Sequence, residues 1–329
     1  MNDSLLSVAL PVRNGANFLA AALESILAQS LADFTLHVSD NASDDETPEI
    51  LADFARRDSR VQVSRTDQLI PQPANVNRAV RLGTSRWVKL FCHDDLMRDD
   101  CLAQIAKAIV AVSETNTGLI GNGEQHLFGN GYRSPPPVDE GLLKLSGREA
   151  IARKLWDVQR AVPFPAVTTA TVRRDAFEAV GGFDLDYVHF DTFCWLELLT
   201  RYDYAVVAAP LTVNRIHGAQ VAVHARASLR EFKDWRNFLP KFVERHGQEL
   251  GMNRKAKLRL RLIPAALAAR AVASDICAGR PAKAIRTVPR IPVRYWPLLP
   301  ALVARAVRSE HKRLGELAQH VPRDLLYPA

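Results

Sequence analysis

Two adjacent carboxylates, Asp94 and Asp95, follow the run WVKLF at residues 87–91, which is apolar apart from Lys89 and contains no turn former. Such a run predicts a buried strand, so the pair falls at the carboxyl end of a central strand, where open α/β sheets bind ligands. Neighbouring carboxylates repel unless a cation, a sugar hydroxyl or a shared proton relieves them. The same residues also fit a turn and helix cap, because Asp99 and Asp100 follow before a helical run over 101–112. Asp191 has two readings as well. It opens a helical stretch over 191–202, where Asp is an ordinary cap, and a carboxylate there can also accept a proton from a hydroxyl. Cys92 and His93 precede the acidic pair, but no second ligand pair stands at a spacing that suits zinc.

The elements that must carry these groups are legible from periodicity. Residues 5–12 (LLSVALPV) read as a strand, Arg13-Asn14-Gly15 breaks it, and apolar residues then recur at helical spacing from Phe18 to Leu27. A second strand over 34–39 runs into the polar loop Asp40 to Asp45, followed by a helix with Thr47 as cap and Pro48 at its first position. Residues 65–73 read as irregular, 75–82 as a short helix stopped by Gly83, and 87–91 as the third strand. Alternating strands and helices imply parallel strands whose polar loops gather on one rim. The first loop lacks the G-x-G-x-x-G spacing of a dinucleotide site.

Further on, 118–121 reads as a short strand and the glycine- and proline-rich 122–145 as a loop insertion over the site or a lid. Ser146 to Glu149 form a capping box for a helix ending at Trp156. A strand over 166–172, a helix over 174–180, the turn Gly181-Gly182-Phe183-Asp184 and a strand over 204–208 follow. From residue 222 the texture changes to long Ala-, Leu- and Arg-rich helices over 225–246, 253–278 and 300–320. The expected domains are therefore 1–221, an α/β domain, and 222–329, a helical region.

Composition limits the class. The 329 residues are 47% hydrophobic, enough for a sizeable core, and the four cysteines form no CxxC pair, which suits a reducing compartment. No signal peptide and no uncharged apolar run of about 18 residues is present, so a cytoplasmic protein is expected. The net charge of +7 is unevenly placed: residues 251–329 hold sixteen Lys and Arg against four Asp and Glu. Within 253–278, basic residues crowd among apolar ones, which predicts an amphipathic surface helix, and residues 251–329 as a whole are expected to attach peripherally to an anionic membrane at its inner face. The same charge also fits a nucleic-acid-binding protein with an inactive α/β front, although aromatic residues for stacking are scarce in the tail. A nucleotidyltransferase is a third reading, but the glycine-rich basic loop it needs near the N-terminus is missing.

Several blocks together resemble the family-2 inverting glycosyltransferases, whose nucleotide-sugar-binding fold is called GT-A. They are SVALPVRNGANFLAAALESILAQSLADFTLHVSDNASDDET, ANVNRAVRLGTSRWVKLFCHDD, Gly181-Gly182-Phe183-Asp184 with DTFCWL from Asp191, and Arg215-Ile216-His217. The resemblance covers about residues 5–220. It implies a mixed, mainly parallel α/β sheet with flanking helices, plus the helical extension, and transfer of a sugar from a UDP- or dTDP-linked donor. The acceptor would be a saccharide or lipid-linked chain in polysaccharide or lipopolysaccharide synthesis. It implies Asp191 as catalytic base and Asp95 as ligand of Mg²⁺ or Mn²⁺, with His217 a second candidate ligand. Pro11, Asn14, Asp40, Asn77, Arg78, Asp94 and His217 would contact the donor. Two places depart from the family pattern: Cys92 stands where the metal motif usually begins with an acid, and Phe190 where a glutamate often precedes the base.

Overall fold

Alternating apolar segments fold into a nine-stranded sheet in the computed structural model, which describes residues 4–131, 133–134, 141–155, 164–217 and 229–317. Its first part comprises β1 (Leu6–Val12), α1 (Ala16–Leu27), β2 (Thr35–Asp40), α2 (Thr47–Arg57), β3 (Val61–Arg65), α3 (Gln72–Leu82) and β4 (Trp87–Leu90). After these come β5 (Leu96–Met97), α4 (Cys101–Ala111), β6 (Thr117–Phe128), β7 (Leu142–Leu145) and α5 (Gly147–Leu155). The sheet is completed by β8 (Ala170–Arg173), α6 (Arg174–Ala179), α7 (Phe190–Leu198) and β9 (Asp203–Ile216).

Strand order is β3-β2-β1-β4-β8-β6-β9-β5, with β7 paired to β9. The sheet is mixed. β3, β2, β1 and β4 are parallel, whereas β8 is antiparallel to both β4 and β6, and β9 is antiparallel to β5 and β7. The parallel register sets Val12 beside Asp40 and Ala9 beside Leu90, so β1, β2 and β4 discharge their loops on one rim. Residues with no polar atom to satisfy fill the layer between sheet and helices: Val8, Leu10, Leu19, Leu23, Ile26, Leu36, Val38, Leu102 and Ile105 are all buried.

Four elements differ from expectation. β3 was not expected and overlaps the irregular stretch only at Arg65; only Val61 is buried on this edge strand, so its apolar signal is too weak to stand out. Thr47 does not cap α2, which has Glu46 at its cap with no side-chain bond; the Thr47 hydroxyl accepts from Gly15 N–H at 2.8 Å instead. The expected insertion over 122–145 is partly sheet, since β6 runs twelve residues and β7 follows; residues 135–140 lie outside the described residues. β9 likewise runs fourteen residues, well past the expected five. Trp156 is also outside the described residues, while Ser146 accepts from Glu149 N–H as the capping box predicts.

By contacts the chain separates into two units, one of Met1–Leu127 and Arg133–Arg215, the other of Phe128–Tyr132 and Ile216–Ala329. The second unit is built from α8 (Arg230–His246), α9 (Arg254–Cys277), α10 (Pro281–Thr287) and α11 (Leu299–Leu317). Asn253 caps α9 by accepting from Ala256 N–H at 2.9 Å. α9 buries one face and exposes the other: Leu260, Ala265, Ala268, Ala269 and Val272 are buried, the last three packing with Phe232, Ile291 and Leu299 in the unit's own core, while Leu258 and Leu262 stay exposed among Lys257, Arg259 and Arg261. Of the described helices, none is long and apolar enough to cross a membrane.

Candidate active site

The loop after β1 and the loop after β2 are laced together. Asn14, in the left-handed region at φ +50°, donates its N–H to Ser43 Oγ at 2.9 Å, and its Oδ1 accepts from Asp44 N–H at 3.0 Å. Ala16 N–H donates to Asp45 Oδ2, and the Arg13 guanidinium donates to the carbonyls of Asn41 and Ala42. Asp40 is buried. One carboxylate oxygen accepts from Ser43 N–H and Oγ, and the other from Arg65 at 2.8 Å. A nucleobase N–H would have to share that second oxygen with the half-exposed Arg65 or displace it.

α3 supplies three polar side chains, all committed to holding backbone. Asn75 bonds Ser39 through both ends of its carboxamide. Arg78 spans Ser39 Oγ, Ser64 and the Ser64 carbonyl, tying β2 to β3. Asn77, expected among the donor contacts, instead clamps the peptide of Phe183: its Nδ2 donates to Phe183 O and its Oδ1 accepts from Phe183 N–H, both at 2.8 Å. With its carboxamide consumed in this way, Asn77 positions the Gly-Gly-Phe turn. Arg78, expected in the same role, anchors strand ends. Gly181 (φ +86°) and Gly182 (φ +76°) take that turn through conformations an L side chain rarely adopts, and a Cβ on Gly182 would fall 2.7 Å from Asn77 Oδ1.

At the end of β4, ligand-capable atoms of Cys92, Asp94 and Asp95 all lie within 4.8 Å of one another. Asp95 is only 2% exposed, and its Oδ1 accepts from Arg215 N–H at 3.1 Å. Arg215 lies over the Phe18 ring at 5.2 Å and donates to the carbonyls of Phe18 and Asp95. Burial, reinforced by the charge of Asp94, raises the Asp95 carboxyl to about 7. Burial also pushes the Cys92 thiol up, and Asp94, Asp95 and Asp191 push it further, so the thiol keeps its proton. His93 packs on Gly15, where a Cβ would meet its ring at 2.6 Å.

Lys89 was not singled out from sequence, yet it lies wholly buried beneath this cluster. Its Nζ donates to Asn122 Oδ1 at 2.9 Å and to the Thr168 carbonyl at 2.7 Å, and burial lowers its ammonium to about 8. Thr168 also accepts from Cys92 N–H and bonds the Asp95 carboxylate. A lone lysine inside an otherwise apolar strand was the available signal, because a buried ammonium persists only with partners.

Asp191 stands in the first turn of α7, its Oδ1 accepting from Thr192 N–H at 2.6 Å. Burial raises its carboxyl, while the backbone bond from Thr192, His189 and Lys154 pull the other way. An aromatic block holds this helix start. Phe183 packs edge-on against Phe177, Phe190 and Trp195, with centroids 4.8, 5.0 and 5.3 Å away, and Trp195 Nε1 donates to Pro165 O. The three carboxylates Asp94, Asp95 and Asp191 are thus near enough to act on one thiol, that of Cys92.

The sequence matches the family described as glycosyl transferase family 2 over residues 7–181. The chain belongs to this family. Among curated proteins it is similar to the PGL/p-HBAD biosynthesis glycosyltransferase of Mycobacterium tuberculosis, 37% identical over 112 residues that make up 33% of this chain and 43% of that protein. It is also similar to the chondroitin synthase of Escherichia coli, 28% identical over 138 residues, 40% of this chain and 20% of that one. The chain thus spans less than half the length of these relatives. The solved structure of a mannosyltransferase from Pyrobaculum calidifontis, in complex with GDP-Man and Mn²⁺, matches 92% of this chain and 86% of its own with a TM-score of 0.56 at 18% identity. S. aureus TarS 1-349 in complex with UDP-GlcNAc matches 94% and 92% with a TM-score of 0.53 at 15% identity. These likenesses establish the GT-A fold for this member of glycosyl transferase family 2.

The structure therefore groups Asp94 and Asp95 with Cys92 at the end of β4 and sets Pro11, Asn14 and Asp40 at the ends of β1 and β2, while Asp191 stands in the first turn of α7. His217 follows β9 directly, in the second unit, half-buried.

Proposed function

We propose that the chain is an inverting, metal-assisted glycosyltransferase that moves a sugar from a UDP- or dTDP-linked donor to a saccharide or lipid-linked acceptor in cell-surface polysaccharide or lipopolysaccharide synthesis, at the inner face of the cytoplasmic membrane. The observation that carries this is the Cys92, Asp94 and Asp95 cluster at the end of β4, and a carboxyl raised by burial at Asp191 in the first turn of α7 supports it. In single-displacement chemistry the acceptor oxygen bonds the anomeric carbon as the bond to the diphosphate breaks, and the electron pair leaves with the phosphate. Asp191 takes the hydroxyl proton, and a carboxyl raised by burial is a stronger base for that transfer than an exposed one.

The cluster fits a divalent cation. Asp94 and Asp95 offer hard oxygens for Mg²⁺ or Mn²⁺, and a cation would relieve the like charge and burial that hold Asp95 near 7. Bound there, the ion supplies charge stabilisation for the departing diphosphate. Cys92 holds a buried, protonated thiol, so the two carboxylates would carry the site. Asp40 with Arg65 would meet the base, and Pro11 and Asn14 would border the nucleotide. The neighbour structures with GDP-Man and Mn²⁺ and with UDP-GlcNAc support a nucleotide-sugar donor. The nucleic-acid reading draws no support from these matches.

The test is a thermal-shift and donor-hydrolysis screen of the purified chain against UDP-, dTDP- and GDP-sugars, with and without Mn²⁺. Metal-dependent stabilisation by a UDP- or dTDP-sugar is expected. Response to GDP-sugars alone would overturn the donor assignment, and stabilisation by duplex DNA alone would overturn the enzyme reading.

A further inference from the structure

We infer that residues 280–298 of the helical unit form a docking surface for an anionic lipid bilayer. The basis is the unit's own surface, independent of the sugar-transfer reading. With the middle of α9 turned into its own core, large apolar side chains stand exposed on the segment that follows it: Ile285 at 71%, Val293 at 70%, Trp296 at 43% and Leu298 at 40%. Ile291 and Leu299, between and beyond them, are buried, and Trp296 Nε1 donates to Ile291 O, so the segment is anchored while these four side chains remain in solvent.

Charge selects the partner. From Ile276 to Ser309 the chain has seven Lys and Arg and no Asp or Glu. The nearest acid, Asp275, is buried and already paired with Arg280 and Lys283. Arg286 and Arg290 are exposed beside Ile285 and Val293 in sequence. Basic residues among exposed aliphatic ones match an anionic headgroup layer over an acyl interior, and tryptophan favours that boundary. Ile, Val and Leu offer neither hydrogen bonds nor ring faces to a nucleic acid, which favours the bilayer over a phosphodiester backbone.

The test uses the full chain and sugar-free vesicles, so its failure removes the membrane placement and leaves the sugar-transfer chemistry untouched. Co-sedimentation with vesicles containing phosphatidylglycerol should exceed that with phosphatidylcholine alone and fall with added salt. I285S/V293S should weaken partitioning about tenfold or more, since two exposed aliphatic side chains lose an apolar environment. Both sites are exposed, so the melting temperature should hold and loss of binding cannot be put down to unfolding. Of the five tryptophans, Trp87, Trp195 and Trp235 are buried and Trp156 lies outside the described residues, so a blue shift of fluorescence on anionic vesicles is assigned to Trp296 by its loss in W296F. Equal binding to neutral and anionic vesicles, or parental binding by I285S/V293S, overturns the inference. So does a concentration-dependent mass in solution that I285S/V293S abolishes, which would assign the patch to a second copy of the chain, or tighter binding to duplex DNA than to vesicles.

Discussion

At the scale of single residues, the proposed function gives Asp191 and Asp95 different duties although burial raises both carboxyls. Asp191→Asn removes a base that acts on the acceptor, so transfer should fall by about 10² to 10⁴ in kcat while donor affinity holds. Near-parental transfer would move the base to Asp184 or Asp186. Asp95 makes a prediction in pH. Its folded carboxyl sits at about 7, above the ordinary 3.8, so the folded state holds a proton that the unfolded state has lost. Metal-free stability should therefore decline as pH rises from about 4 to about 7, approaching roughly 1.4 kcal/mol per pH unit mid-window. Asp95→Asn removes that slope, and its melting temperature relative to the parent should improve from pH 5 to about pH 7 and then level off. A constant difference across that range would show that the carboxyl titrates normally.

Among elements, the Gly-Gly-Phe turn is where packing and chemistry meet. Asn77, on α3, holds both polar groups of Phe183, and the Phe183 ring packs against Phe190 and Trp195 at the start of the helix that carries Asp191. Asn77→Ala leaves the buried Phe183 groups without these bonds and should cost about 1–3 kcal/mol. Gly182→Ala forces a left-handed alanine against Asn77 Oδ1 and should cost a similar about 1–3 kcal/mol. Because the two share one contact, the double variant measured by denaturant unfolding should lose less than the sum, and strict additivity would break the proposed link. Most element types were legible in advance: hydrophobic runs marked the parallel strands, and apolar spacing marked α1 and α4. β3 and the lengths of β6 and β9 were not, since an edge strand and the extended ends of long strands draw stability from pairing partners rather than from local pattern.

For the molecule as a whole, the two units differ in composition and in what they bury. Metal and nucleotide should couple across the rim of the first: with Cys92 protonated and two carboxylates as donors, Mn²⁺ should bind weakly alone and at least fivefold more tightly with UDP in calorimetric titration, the diphosphate completing the shell. Identical Mn²⁺ affinity with and without UDP would count against a shared site. The amino-acid sequence by itself determined the alternation of elements, the rim on which Asp40, Asp94 and Asp95 fall, the acid-poor charge of the tail and the family blocks, because each is written in local spacing or composition. Tertiary structure alone decided the partners. It spent Asn77 on backbone and Arg78 on Ser39 and Ser64, moved Thr47 from capping its own helix to holding Gly15, put Lys89 under the acidic cluster, and buried one face of α9 while Ile285, Val293, Trp296 and Leu298 stayed exposed. Those outcomes depend on contacts between residues far apart in the chain, which no local pattern encodes.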